Sequence, residues 1–408
     1  ITEPGDINTR ERLAEDYKKI IDYRNLLLQD RSMTDSMDVA LGDQVKSVMN
    51  RLFQNYFKGE LLTGVNISNL TITEANLEKA SFSNSSLQNI NFSGNANLIN
   101  SDFRDSTLNG IIFSEANCEN ANFSDCKLID IKFDTKMNLH RAVFRNADLS
   151  SMGDIGPQDK EGDPIEFKHT NFSCANLTHQ DIYNACFDFA DFSDVRLIDS
   201  KIGKSAQKAN NTTFAYANME KADLLRCVIE RCDFQNANLN GATFTYAGIT
   251  DVNFAECRLN NANFSESIID NCKFDKSYCT NFSMKGTILK HSRFEYAIMA
   301  SADMSGAHLI DVHFNDAVCR NTLWVRTQIE QTVFERCVLA DSRIVGEAER
   351  KVRIDHCKFL YSDLSNSAIA NIEFYHCDFE GADFTNARLI NVHFFDCQHL
   401  DTVVSEGI

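Results

Sequence analysis

The chain has 408 residues, with 40 Lys+Arg against 58 Asp+Glu and a formal net charge of −18. Such an acidic balance repels nucleic-acid phosphates and anionic lipid headgroups, which argues against direct nucleic-acid binding. No stretch approaches the apolar length of a membrane span, and an internal repeat overrides the two or three domains that length alone suggests.

Residues 1–66 do not repeat. From Asn8 to Leu28, the apolar residues Leu13, Tyr17, Ile20, Ile21, Leu27 and Leu28 recur at helical spacing, with Glu and Lys between them. A second run brings Val45, Val48, Met49, Leu52, Phe53, Tyr56 and Phe57 to one helix face, with Gly59 as its C-terminal stop. An open β-coil exposes unpaired strand edges at its ends, so the second helix is expected to cap the first coil. A partner-binding or targeting helix is the alternative. The chain begins at Ile1 rather than at a methionine, as expected if a leader has been removed.

From Ile67 onward the unit is Ala-(Asp/Asn)-(Leu/Phe)-x-x, as at Ala75, Asn76, Leu77 and again at Ala237, Asn238, Leu239. Small and large residues in alternation face inward, and the others face water. Every fourth large residue repeats its type. One column reads Phe214, Phe234, Phe254, Phe274, Phe294, Phe314, Phe334, Ile354, Phe374, Phe394. The column offset from it by three units reads Ile229, Ile249, Ile269, Leu289, Leu309, Ile329, then Glu349, Ile369 and Leu389. A five-residue period nested in a twenty-residue period describes a coil with four short sides, each giving one large residue to the core.

These residues resemble the pentapeptide-repeat family over roughly 67–399. The resemblance implies an all-β solenoid: a right-handed quadrilateral parallel β-helix of about 16 coils, preceded by the helical region 1–66 and followed by a tail at 400–408.

Breaks in the register mark candidate sites. Single surplus residues between Phe92 and Leu98, and between Phe133 and Leu139, read as corner bulges. Larger surpluses lie at 150–166, with Asp159, Lys160 and Glu161, and at 203–213, with Lys204, Gln207 and Lys208. Both leave at the corner between the Ile/Leu and phenylalanine faces, about 10 Å apart. Loops on rigid scaffolds are where binding residues concentrate. The third break, 345–353, keeps the period but sets Glu347 and Glu349 at inward positions. Two unpaired buried carboxylates would cost several kcal/mol. Gly346–Val352 is therefore expected to bulge outward, displaying Arg350 and Lys351 beside the two glutamates. A fourth feature is a mostly uncharged outward stripe on the second face, Tyr278, Ile298, Val318 and Val338, which suggests a contact surface.

Little chemistry survives the register. Nine of the 14 cysteines sit two residues before a large inward residue, where Ala or Ser usually stands, and behave as small buried hydrophobes suited to a reducing compartment. The column Cys337, Cys357, Cys377, Cys397 holds its thiols parallel rather than converging on zinc. His356, His376 and Asp396 form an outward column, but strand spacing puts the outer two nearly 10 Å apart, too far for one ion. The Asn-Phe-Ser and Asn-Leu-Thr triplets follow from the repeat rather than from glycosylation. No nucleophile elbow, zinc-protease or phosphate-loop motif occurs. The expectation is a chain without catalytic residues, metal or cofactor.

Its partner is then a protein. The long repeat with a non-repeating N-terminal region resembles bacterial effector-type members of the family, which implies a host or cellular protein partner and residence in the bacterial cytoplasm or the host cytosol. Two alternatives come from the same resemblance. An acidic rod can imitate duplex DNA and bind a type II topoisomerase, as quinolone-resistance members do. The repeat also resembles the substrate-binding β-helix of HECT-like ubiquitin ligases, here without a catalytic lobe after Val404.

Overall fold

The computed structural model describes residues 57–72, 74–134, 136–155, 164–203, 212–348 and 351–404. The helices expected within residues 1–56 lie outside that range. The chain divides after Gly153 into two units, each a coil of very short parallel strands. The first stacks Asn66–Ser68, Ser86–Gln88, Thr107–Asn109, Lys127–Ile129 and Asp148–Ser151 as one parallel sheet. In the second, one ladder runs from Asp181–Ile182 through Val228–Glu230 and Gln328–Glu330 to Val352–Asp355, and ends on the longer strands Ala368–Tyr375 and Arg388–Phe395.

The repeat unit is legible as physics. Its large residue fills the interior, and the rings of one column stack from coil to coil, as Phe214 on Phe234 at 4.8 Å and Phe274 on Phe294 at 4.5 Å. Two residues later the chain turns a corner in the left-handed region, at φ 59° for Tyr216, 56° for Lys221, 56° for Arg226 and 54° for Arg231. That conformation costs about 1–2 kcal/mol for a residue with a Cβ. Each corner N–H offsets it by donating to the next coil, as Arg226 to the Thr245 carbonyl at 3.0 Å. The Asp/Asn of the unit turns the same corner from the other side: Asp233 Oδ1 accepts from the Gln235 N–H at 3.0 Å, and Asn238 Oδ1 from the Asn240 N–H at 3.3 Å.

The small inward position tolerates a hydroxyl or thiol because a carbonyl is there to accept from it. Ser277 Oγ donates to the Phe274 carbonyl at 2.6 Å, and Cys257 Sγ to the Phe234 carbonyl at 2.9 Å. Of the 14 cysteines, all free, Cys174 is exposed, Cys397 half-buried and the other twelve buried. Burial pushes the thiols of Cys126, Cys227, Cys272 and Cys279 up to about 12. In the folded protein near pH 8, alkylation followed by mass spectrometry is expected to label Cys174 quickly and Cys397 slowly. The remaining twelve should react only after unfolding.

The structure corrects the register read from the sequence. The phenylalanine column does not pass through Ile354. Phe334 stacks on Phe359 at 4.9 Å, and Phe359 on Phe379 at 5.1 Å. Ile354 stands beside Ile329, followed by Phe374 and Phe394, while Trp324, Ile344, Ile369 and Leu389 form a separate column. Pairings across the break, Ile329 with Ile354 and Ile344 with Ile369, span 25 residues instead of 20. Residues 346–351 therefore stand where neighbouring coils place a single corner residue, such as Arg326 or Asn371. An insertion of one repeat length shifts every later side chain by one face and leaves the five-residue count intact. Ile344 and Ile354 fill successive faces, so the wall position assigned to Glu349 does not exist.

The wall also begins earlier than Ile67. Phe57 and Leu62 are buried, and the Leu62 N–H donates to the Ser81 carbonyl at 2.7 Å. Gly59, read from the sequence as a helix stop, is a corner at φ 72° whose N–H donates to Glu78 at 2.8 Å. At the other end Val404 bridges Asp383, so the coil runs past residue 399.

Candidate functional site

The second unit carries the candidate surfaces. On its Ile/Leu face, the insertion borders a cleft of about 510 Å³ lined by Arg326, Gln328, Glu330, Glu347, Lys351, Val352, Arg353 and Asp355. Its lining comes from the strands Gln328–Glu330 and Val352–Asp355, from the corner residue Arg326, and from Glu347 and Lys351 of the insertion. Its charges are matched. Arg326 bridges Glu347 at 3.0 Å, Lys351 bridges Glu373 at 3.4 Å, and Arg353 bridges Asp355 at 2.7 Å. The Arg326–Glu347 pair is largely solvated and contributes about 0–1 kcal/mol, whereas Lys351 and Glu373 are only 25% and 28% exposed. Glu347 and Lys351 thus lie at one cleft, whereas Glu349 and Arg350 lie outside the described residues.

Gly346 opens the insertion and has no room for a side chain. A Cβ there would come within 2.4 Å of the Asn371 carbonyl oxygen and 2.9 Å of the Val352 nitrogen, both backbone atoms. Asn371, the corner residue of the next coil, donates from Nδ2 to the Gly346 carbonyl at 3.2 Å, and the Gly346 N–H donates to the Ala370 carbonyl at 2.8 Å.

The two larger loops leave from another corner, between the Ile/Leu and phenylalanine faces. Ile155 bridges Ile182 before the first, and Ile202 pairs with Ile229 before the second. Asp159, Lys160 and Glu161 in one loop, and Lys204, Gln207 and Lys208 in the other, lie outside the described residues. Across the phenylalanine face, three aromatic corner residues form a ladder that the sequence reading missed. His169 stacks on Phe189 at 5.1 Å and Phe189 on Tyr216 at 5.0 Å, with Phe189 51% exposed. Its signal was present as an aromatic two residues after Phe187 and again after Phe214, but the intervening loop hid the spacing.

The second-face stripe is a true ladder. Tyr278, Ile298, Val318 and Val338 bridge one another in succession, with Arg258 before them and Asp363 after. Tyr278 is 51% and Ile298 39% exposed. Before Arg258 on one side, and directly after Val338 on the other, this position serves the corner: Asn218, Asn238, Asp363 and Asp383 each accept from the N–H two residues on. The four stripe rungs place apolar side chains there instead, exposed at Tyr278 and Ile298 and half-buried at Val318 and Val338.

A family model for pentapeptide repeats matches eight copies, over 61–94, 95–128, 166–197, 210–245, 249–278 and 356–397, just over half of the chain. The chain is a pentapeptide-repeat protein. Most of the unmatched span 279–355 is where this pentapeptide-repeat chain carries its apolar stripe and its insertion. Among solved structures it is similar to HetL, a pentapeptide-repeat protein involved in heterocyst differentiation regulation from the cyanobacterium Nostoc sp. strain PCC 7120, at 16% identity over 58% of this chain and 90% of that one, with a TM-score of 0.32. It is also similar to QnrB1, a plasmid-mediated fluoroquinolone resistance protein, at 18% identity over 45% and 90%, with a TM-score of 0.28. A pentapeptide-repeat protein from the Arabidopsis thaliana thylakoid lumen is 16% identical over 31% and 68%, with a TM-score of 0.19. No curated protein sequence matches the chain. Among the described residues, no helix is long and apolar enough to cross a membrane.

Proposed function

We propose that this pentapeptide-repeat protein is a non-catalytic scaffold of the effector type, binding a host or cellular protein in a reducing compartment. The observation that carries the reading is the stripe from Tyr278 to Val338, where four successive rungs carry apolar side chains in place of a corner cap, exposed at Tyr278 and Ile298 and half-buried at Val318 and Val338. A contiguous apolar strip gains free energy only when a partner covers it. The cleft beside Glu347 and Lys351, and the loops bearing Asp159, Lys160, Glu161, Lys204, Gln207 and Lys208, supply polar contacts at other edges. The buried thiol columns support a compartment in which cysteines stay reduced.

The test is affinity capture from host and bacterial lysates, followed by binding of the purified partner to wild type and to Ile298→Asp. Introducing a charge at the centre of the stripe is expected to weaken binding by at least about tenfold, with little sensitivity to salt. Salt-sensitive binding of a type II topoisomerase that ignores Ile298→Asp would replace this reading with duplex imitation.

A further inference from the structure

We propose that Asp355, His356 and His376 form a binding site for one late first-row divalent cation of the zinc, nickel or copper class. Asp355 ends the strand Val352–Asp355. His356 is the corner residue that follows, at φ 52°, and His376 is the same corner one coil on, at φ 51°. Their imidazoles stack at 4.6 Å with 23° between planes. Both rings turn Nδ1 toward one atom, Asp355 Oδ1, at 2.8 Å for His356 and 3.2 Å for His376. One donor atom from each of the three residues lies within 4.8 Å of the others.

Those separations suit a shared cation. With metal–nitrogen and metal–oxygen bonds of about 2.0–2.2 Å, neighbouring ligand atoms sit about 3 Å apart. A cation would replace the hydrogens now lying between carboxylate and rings, with small side-chain rotations. Two imidazoles and a carboxylate favour zinc, nickel or copper over calcium or magnesium. His356 and His376 side chains are 59% and 44% exposed, so the remaining coordination positions face solvent and are open to water or to a partner's side chain.

Outer contacts fix the carboxylate for this role. Arg353 takes only Oδ2, through Nη2 at 2.7 Å and Nε at 3.1 Å, which leaves Oδ1 to the histidines. The guanidinium in turn lies 4.0 Å from the centre of the Tyr375 ring. Its positive charge opposes the cation and holds the expected affinity to the micromolar range. Asp396 Oδ2 stands 3.9 Å from His376 Nε2, within one rotation of holding the far nitrogen of that ring. The column His356, His376, Asp396 keeps its ends too far apart for one ion. The ligating carboxylate is instead Asp355, one residue before the column.

The same protein contains controls. His291 Nδ1 meets Asp270 Oδ1 at 2.7 Å by the same corner-to-previous-coil contact, and His399 Nδ1 meets Asp378 Oδ1 at 2.6 Å at a different position of the coil. Those corners pair a single imidazole with the carboxylate. Among the described residues, the histidines at the successive corners 356 and 376 bring a second ring to the same oxygen.

The experiment is calorimetric titration of the chelator-treated full chain with zinc and with nickel chloride, with Cys174→Ser as background to remove the exposed thiol. One equivalent is expected to bind at micromolar affinity. His356→Ala, His376→Ala and Asp355→Asn should each weaken it at least about tenfold, and His291→Ala should leave it unchanged. A cobalt spectrum lacking thiolate charge transfer should confirm nitrogen and oxygen ligands. His291, His356 and His376 are exposed, Asp355→Asn keeps the shape of a half-buried side chain, and an unchanged melting temperature shows the fold intact. No binding by the background protein, or equal binding by it and a His356→Ala, His376→Ala double variant, overturns the assignment.

Discussion

Phe254→Ala is expected to lower stability by about 3–5 kcal/mol, read as a fall in the urea midpoint of unfolding. Phe254 is fully buried, stacked on Phe234 at 5.2 Å and Phe274 at 4.9 Å, with its ring also met by the edges of Phe244 and Phe264. Alanine leaves a cavity that a closed four-sided wall cannot collapse around, because each rung is pinned to the rungs on both sides by backbone hydrogen bonds. The loss is local in a repeat architecture, where stability sums over neighbouring units. The transition should therefore broaden or split as the second unit opens at that rung first. The matched control is Phe189→Ala. Phe189 has the same chemistry but sits exposed at a corner, and its replacement should cost within about 0.5 kcal/mol. Equal effects at the two positions would mean that the stacked column is not the core.

How much of this was readable from the sequence depends on which interaction sets each residue. The walls were legible because burial imposes a strict period on them, and the Asp/Asn before each large residue was explicable once the corner bond was seen. The third break was legible as chemistry, since Glu347 and Glu349 do not belong in a wall. Its length was not: five surplus residues are invisible to a five-residue count. The missing clue lay in residue type, because Phe359 and Phe379 continue the ring stack while Ile354 continues the aliphatic one. The histidine corner was misread for a related reason. Column reasoning pairs residues one coil apart at the same position. The contact that matters runs diagonally, from the residue before one corner to the corner residue of the next coil, as Asp355 to His376 and Asp270 to His291. A stack of identical side chains cannot show that offset. Nor does periodicity describe the interior of a loop, so the charged residues at 159–161 and 204–208 could be placed only by where their loops leave the wall.

The insertion yields a prediction that inverts the usual ranking of mutations: removing five residues should do less damage than adding one methyl group. Val345 pairs with both Val325 and Ala370, and Val352 pairs with Ile372. Between the paired positions the next coil uses one residue, Asn371, at φ 55°, and the preceding coil uses Arg326 at φ 60°. Deleting 347–351 leaves Gly346 as that single corner residue, and glycine adopts positive φ without strain. The deletion variant should fold with a urea midpoint close to wild type, losing the solvated pair of Arg326 with Glu347 and the half-buried pair of Lys351 with Glu373, whose carboxylate keeps the Tyr375 hydroxyl as donor. Gly346→Ala acts at the opposite extreme. The new methyl would strike the Asn371 carbonyl oxygen and the Val352 nitrogen, so two strands must separate or the insertion must re-route. Overpacking of that kind costs about 1–3 kcal/mol. Amide exchange should show the loss as faster exchange at Gly346, Val352 and Ile372, with the rungs around Phe254 unaffected. If the deletion destabilises as much as the alanine does, the five residues support the wall rather than interrupt it, and the cleft they border is part of the fold's own structure.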